Sequence, residues 1–329
     1  MEHPIRMKNN GQISVVINSQ KKKVLPKELP EAESIPKKMT SEHSALKEIE
    51  EELSSLVGMD EMKKMIKEIY AWIYVNKKRE EHGLKAGKQA LHMMFKGNPG
   101  TGKTTVARLI GKLFQKMNVL SKGHLIEAER ADLVGEYIGH TAQKTRDLVK
   151  KALGGILFID EAYSLGRGGE KDFGKEAIDT LVKHMEDKQH EFILILAGYS
   201  REMDFFLSLN PGLHSRFPLV IDFPDYSTDQ LMEIGKRMLI EREYTLSHEA
   251  EKSLKTHLTY VRTGQNMRSF SNGRYIRNVL EKSIRAQSMR LLMQGNYDKH
   301  ELMTLRSNDL IYESTSKPNE EIPTMNNGF

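Results

Sequence analysis

Gly97-Asn98-Pro99-Gly100-Thr101-Gly102-Lys103-Thr104 is the stretch that decides the fold of this chain. It fits G-x-x-x-x-G-K-[ST], the loop that cradles the phosphates of a nucleoside triphosphate. Ahead of it the apolar run Leu91 to Phe95 has a strand's length. Behind it Val106, Leu109, Ile110, Leu113, Phe114 and Met117 recur at helix spacing. A loop between a strand and a helix sets the helix N-terminus against a bound anion. Free backbone N–H groups and the positive end of the helix dipole meet the phosphates there. The glycines permit close backbone approach. Lys103 is then placed to reach the β- and γ-phosphates, and Thr104 to hold Mg²⁺.

A Gly-rich turn can match such a pattern by accident, and a second motif makes that reading untenable. Ile156-Leu157-Phe158-Ile159-Asp160-Glu161 has four apolar residues, which suit a strand buried on both faces of a parallel sheet. Its two carboxylates fall beyond the strand's carboxyl end, where open α/β sheets bind ligands. Asp160 suits the Mg²⁺ shell, and Glu161 suits a general base that polarises the attacking water. Alone, Asp-Glu after a strand is an ordinary polar loop start. Following the phosphate loop by a helix, a strand and another helix, it signals ATP or GTP hydrolysis.

The chain has 329 residues, enough for two domains plus tails. A hydrophobic content of 38% and a charged content of 29% suit a soluble globular protein. There is no cysteine, so disulfides and thiolate metal sites are excluded, in keeping with a reducing compartment. The start, Met1-Glu2-His3-Pro4, lacks the apolar core of a signal peptide. No apolar run approaches the roughly 20 residues that span a bilayer. A cytoplasmic protein with no membrane partner is expected. The net charge is +5, and the basic excess gathers in residues 1–45, where Lys21-Lys22-Lys23 is the tightest run. That run reads as a solvated tail rather than a nucleic-acid patch.

Residues 1–45 are expected to form a flexible basic extension, with one apolar stretch, Ile13 to Ile17, suited to a docking strand. Residues 46–226 read as an α/β nucleotide-binding domain. Helical spacing begins at Leu46, Ile49, Leu53 and Leu56, and a second helix is predicted over 59–81. Strands are predicted at 91–96, 124–128, 155–159, 192–198 and 219–223, with helices at 103–117, 141–153 and 173–187 between them. Such alternation predicts a parallel sheet with helices on both faces. After Pro224-Asp225-Tyr226-Ser227 helices dominate, at about 228–242, 247–261 and 273–293, with a strand only near 302–306. Residues 227–314 therefore read as a small helical lid, and 315–329 as a disordered tail. The 18 methionines read as core filling.

The order of these features resembles the AAA+ ATPases: a phosphate loop, an Asp-Glu strand end, an Arg near the close of the α/β part, then a helical lid. Within that superfamily the chain is most similar to the group of the red-type Rubisco activase and the stage V sporulation protein K. The strings that carry this resemblance are Leu56-Val57-Gly58-Met59, Gly97-Asn98-Pro99-Gly100, Leu133-Val134-Gly135-Glu136-Tyr137-Ile138-Gly139-His140 and Asp160-Glu161-Ala162-Tyr163. Ala197-Gly198-Tyr199 and Asn272-Gly273-Arg274-Tyr275-Ile276-Arg277-Asn278 extend it over roughly residues 46–300.

The resemblance implies a homo-oligomeric ring, usually a hexamer, with Mg²⁺ and ATP between subunits. Val57 and Gly58 match the adenine contact. Asn98, Pro99, Gly100, Thr101, Gly102, Lys103, Thr104 and Thr105 match the phosphate-binding loop. Arg216 falls where the family places a finger that reaches the neighbour's γ-phosphate, a role worth on the order of 10³–10⁵ in rate. Arg274 matches a lid arginine that senses the γ-phosphate, which would account for a cation at a helix start. Tyr137, Ile138 and Gly139 match a central-pore loop, in which an aromatic and an aliphatic side chain grip a polypeptide by area. In one place the chain departs from the family. Many members carry a small polar residue, often Asn, at the end of the fourth core strand. Here the strand ends Ala197-Gly198-Tyr199-Ser200, so either Tyr199 or Ser200 is available as the hydroxyl.

Three functions share this core. A ring ATPase that remodels or threads a protein is favoured by the pore aromatic, and the resemblance adds a role in endospore formation. A nucleic-acid motor or loader draws only on the basic tail. A slow, nucleotide-gated assembly scaffold sits badly with Glu161 and Arg216. The sequence does not identify the protein substrate.

Overall fold

The structure is a computed structural model that describes residues 44–87, 89–137, 139–167, 172–209, 211–263 and 270–312. Residues 1–43 of the expected extension, the whole expected tail over 315–329 and Ile138 lie outside the described residues.

Two helices lead into the sheet, α1 (Ser44–Ser54) and α2 (Asp60–Glu81). The α/β part runs β1 (Met93–Gly97), α3 (Lys103–Lys116), β2 (Leu125–Ala128), α4 (Arg130–Leu133), α5 (His140–Ala152), β3 (Ile156–Ile159), α6 (Gly174–Asp187), β4 (Ile193–Gly198), α7 (Ser200–Leu209), α8 (Pro211–His214) and β5 (Leu219–Phe223). A 3₁₀ turn, Ala162–Gly166, follows β3. The five strands form one sheet in the order β2-β3-β4-β1-β5, and each neighbouring pair is parallel. The predicted strands and the helices between them stand within a residue or two of their expected bounds.

Side chains alternate across the sheet because successive strand residues point to opposite faces. Met93 and Phe95 pack with α1, α2 and α3, together with Ile156, Phe158, Ile195 and Phe223. Met94 packs on the other face with Leu157, Ile159, Leu194 and Leu196 against α5, α6 and α7. Helices cover both faces, as the continuous apolar runs require. Phe95 meets Phe223 at 4.9 Å between centroids, which seals the core directly under the phosphate loop.

The second part comprises α9 (Thr228–Ile240), β6 (Thr245–Leu246), α10 (His248–Thr263), α11 (Asn272–Gln294), α12 (Lys299–Met303) and β7 (Thr304–Leu305). Leu231, Leu254, Leu258, Ile276, Val279 and Leu280 form its separate core. Ser227 caps α9 by accepting from the Gln230 N–H at 3.1 Å, and Gln230 returns the contact to Ser227 N–H at 2.8 Å. The expected strand near 302–306 is present as β7, and it pairs in parallel with β6, Thr245 facing Thr304. Sequence reading did not find β6, because two residues carry no measurable period. Arg290 fastens the last segment to α11 with two bonds to Asp309, at 2.8 and 3.0 Å, and one to Glu301 at 2.8 Å.

Candidate functional site

The chain leaves β1 at Gly97 and enters α3 at Lys103. Between them the loop turns through two left-handed residues, Gly100 at φ +71 and Gly102 at φ +94. A β-carbon at Gly102 would stand 2.9 Å from the Met59 methyl and 3.2 Å from the Tyr226 hydroxyl. Only glycine meets both demands. Thr101 is buried, its hydroxyl donates to Asn98 O at 2.8 Å, and its carbonyl accepts from the Tyr226 hydroxyl at 2.9 Å.

This loop floors a cavity of about 520 Å³ between the α/β core and the lid. Of the predicted nucleotide residues, Val57, Pro99, Gly100, Gly102, Lys103, Thr104 and Thr105 line it. Asp160, Glu161 and Arg274 line it too. Residues far apart in sequence thus converge on one space. Asn98 and Thr101 instead brace the loop from behind. Gly58 turns the chain between Val57 and Met59, against the Gln230 side chain.

The Lys103 ammonium donates to Gly97 O at 2.8 Å and Asn98 O at 2.9 Å. Burial lowers its pKa from the ordinary lysine value. Asp160 opposes that shift, Arg274 adds to it, and Glu161 opposes it again. Thr104 stands next in the helix. Asp160 directly follows β3, its backbone N–H donating to Ala128 O at 3.0 Å, and its carboxylate accepts from the Glu161 N–H at 2.9 Å. Glu161 adopts φ +46, in the left-handed region. Such a conformation costs a residue with a β-carbon on the order of 1–3 kcal/mol and gathers at functional sites.

At the end of β4, Tyr199 lines the cavity and packs on Tyr163, 5.8 Å between centroids, while Ser200 opens α7. Burial, with Glu161 next, pushes the Tyr163 phenol up to about 12.

Arg216 does not line this cavity. It pairs with Glu186 at the end of α6, its Nε donating to the carboxylate at 3.0 Å, and its Nη1 donates to Gly212 O at 2.5 Å. Tyr137 lies ahead of α5 with 65% of its surface exposed, edge-on to His140 at 5.4 Å between centroids.

The structure adds residues that motif reading passed over. Arg277 lines the cavity one helical turn after Arg274, a spacing that places both on one face of α11 and could have flagged it. Met59, Tyr226, Ile234, Arg237 and Met238 also line the wall. Arg237 donates to Ser55 O and pairs with Glu233 at 2.8 Å, so the lid also holds the chain entering the site. No local pattern announces these contacts.

A phosphate loop between β1 and α3, two carboxylates beyond the end of β3, which lies across β4 from β1, and a lid helix carrying arginines define a P-loop nucleoside triphosphatase with a helical lid. Residues 93–225 match the model of the ATPase family associated with various cellular activities (AAA), and residues 227–320 match the AAA lid domain. The chain is 73% identical over 312 residues to Stage V sporulation protein K of Bacillus subtilis (strain 168), covering 94% of this chain and 97% of that one. It is 44% identical to Protein CfxQ of Xanthobacter flavus, covering 78% and 80% of the two chains. It is 41% identical to the chloroplastic ribulose bisphosphate carboxylase/oxygenase activase of Cyanidioschyzon merolae, covering 83% and 92%. The chain belongs to the AAA ATPase family, within the group that these relatives form. Among the described residues no helix is long and apolar enough to cross a membrane.

Proposed function

We propose that this protein is a Mg²⁺-dependent ATPase that works as a hexameric ring to remodel or thread a protein substrate, in the cytoplasm and in the course of endospore formation. The observation that carries the reading is the convergence of Lys103, Thr104, Asp160, Glu161 and Arg274 on one cavity. The cellular setting rests on the high identity to the sporulation protein.

The donor set fits Mg²⁺. A hydroxyl from Thr104 and a carboxylate from Asp160 are hard oxygen donors, and Mg²⁺ takes one or two such ligands beside phosphate oxygens and waters. When bound, the ion neutralises charge on the phosphates. Lys103 has to exchange the Gly97 and Asn98 carbonyls for phosphate oxygens, a small swing because those carbonyls belong to the same loop. Glu161 takes a proton from the attacking water. Arg274 and Arg277 line the cavity from the lid, and through them the lid's position depends on the nucleotide. Arg216, outside its own subunit's cavity, serves the neighbour's, leaving Glu186 for the γ-phosphate. Tyr199, rather than Ser200, orients the water, since it is the one of the two that lines the cavity. Tyr137, exposed and remote from this chemistry, grips substrate.

The test is steady-state ATP turnover by the full chain with an unfolded polypeptide and, separately, with single-stranded DNA. Stimulation by the polypeptide supports the reading. Stimulation by DNA alone assigns the same core to a nucleic-acid motor. Turnover indifferent to both points to a nucleotide-gated scaffold.

A further inference from the structure

Three stretches meet at the Asp225 side chain: the phosphate loop, the start of the lid helix α11, and the strand exit that bears Asp225 itself. Asn98 Nδ2 donates to both carboxylate oxygens at 3.0 Å. Asn272 Nδ2 donates to Oδ1 at 2.7 Å and approaches Pro99 O at 3.4 Å. Asn272 Oδ1 accepts from the Tyr226 N–H at 3.0 Å. The Gly273 N–H donates to Gly100 O at 3.0 Å. We infer that Asp225 and Asn272 form a latch that fastens the lid helix to the back of the phosphate loop, so that loop geometry and the position of Arg274 are set together.

The chemistry of each residue fits that task and no simpler one. A carboxylate offers only acceptors, and here it meets two amide NH₂ groups, which offer only donors. Both NH₂ groups reach Oδ1 and Asn98 reaches Oδ2 as well, so an amide at 225 with its oxygen at Oδ1 would set its own NH₂ against that of Asn98. Asn272 is fully buried and sits at φ +47, a conformation that asparagine tolerates better than most residues with a β-carbon. Its two amide atoms face a backbone N–H on one side and a carboxylate on the other, so only one orientation satisfies both. Arg274 follows two residues later, at the rim of the cavity. A latch at Asn272 therefore fixes where the helix starts, and with it where the guanidinium reaches. Neither Asp225 nor Asn272 lines the cavity. They are positioning residues.

This inference rests on the ATP-site reading, and the experiment separates the two. ATP and ADP affinities are measured with a fluorescent nucleotide on the wild type, Lys103→Ala, Asp225→Asn, Asn272→Asp and the double variant carrying both exchanges. Loss of binding in Lys103→Ala is the check on the site itself. Each single exchange sets like groups face to face, carboxylate on carboxylate or amide on amide. It should weaken ATP binding on the order of tenfold, with ADP, which lacks the phosphate Arg274 senses, affected less. The double variant restores one acceptor opposite each donor and should regain most of the affinity. Hydrogen exchange at the Gly273 amide gives a second readout. In the wild type, nucleotide should protect it along with the loop, and in either single variant it should protect the loop alone. A variant that melts early is read by this exchange at a temperature where circular dichroism shows it folded. Wild-type affinity in both single variants, a double variant no better than the worse single one, or unaltered coupling of Gly273 protection to nucleotide would each overturn the latch. Normal ATP binding in Lys103→Ala would instead overturn the site.

Discussion

Gly100→Ala tests the contact between the phosphate loop and the lid directly. The native φ of +71 lies in the left-handed region, which costs a residue with a β-carbon about 1–2 kcal/mol. The new carbon would stand 2.8 Å from the Arg274 backbone nitrogen, and the Ser271 carbonyl oxygen lies closer still. Both are main-chain atoms, so no rotamer change relieves the overlap. Ordinary contact is about 3.5 Å, so the start of α11 has to retreat by roughly 1 Å. The bond from Gly273 N–H to Gly100 O, now 3.0 Å, stretches to about 4 Å and is lost. That removes about 1 kcal/mol more. On the proposed reading, bound nucleotide holds the loop in its native left-handed turn with the lid closed on the phosphates, whereas the empty protein is free to relax the turn and release the lid. The sum of about 2–3 kcal/mol therefore falls on binding, and ATP affinity should drop about thirtyfold to hundredfold. Gly83→Ala is the control: its φ is +70, and nothing lies within 4 Å of the added carbon. It should lower the melting temperature by a few degrees and leave ATP affinity alone. Fluorescent-nucleotide titration and thermal melting measure both. Gly100→Ala binding ATP within about twofold of wild type would refute the reasoning.

Lys103→Ala should abolish nucleotide binding, whereas Glu161→Gln should bind ATP and lose on the order of 10²–10⁴ in turnover; near-normal hydrolysis in the latter removes Glu161 from the base role. Rings mixed from Arg216→Ala and Lys103→Ala subunits should regain part of the activity each lacks alone, and mixed rings that form without any rescue argue against a finger acting on the neighbour. Tyr137→Ala should keep basal turnover and lose stimulation by polypeptide, while Tyr137→Phe keeps both; full stimulation in the alanine variant refutes a grip by this ring. Burial pushes the His92 imidazole down to about 4 from its ordinary value of 6.5, so it is neutral in the folded protein. The stabilisation from keeping it neutral is complete above pH 6.5 and is lost as pH falls toward about 4, because the unfolded chain takes up the proton first. It amounts to at most about 3 kcal/mol. His92→Asn keeps an acceptor for the Leu194 N–H, which His92 Nδ1 now receives at 3.0 Å, and should flatten melting temperature against pH over that window; an unchanged slope excludes His92 as the source.

The nucleotide chemistry was legible because it is written in consecutive residues. Gly97 to Thr104 form one loop and Asp160-Glu161 one strand end, so adjacency in sequence is adjacency in space. The two covered sheet faces were legible from the apolar run Ile156 to Ile159, which no one-sided strand would need. Arg216 and Arg274 were candidates only through the resemblance. The fold separates them, one lining the cavity and one paired with Glu186 away from it.

While the short α4, α8, β6 and α12, and α7, went unread, the chain's order of residues thus carried the five sheet strands and the longer helices between and after them, their alternation into a parallel sheet followed by a helical lid, and the fit of the loop before α3 to a nucleoside triphosphate. These follow from backbone preference and hydrophobic period, which act over a few residues. The strand order, the β6–β7 pairing, the place of Tyr199 in the cavity wall, and the meeting of Asn98, Asp225 and Asn272 came from the three-dimensional fold alone. Those depend on pairing between distant segments, where a hydrogen bond between single side chains leaves no periodic trace in the chain. The sheet order brings the end of β5 beside β1, and this places Asp225 under the phosphate loop, where the start of α11 can reach it.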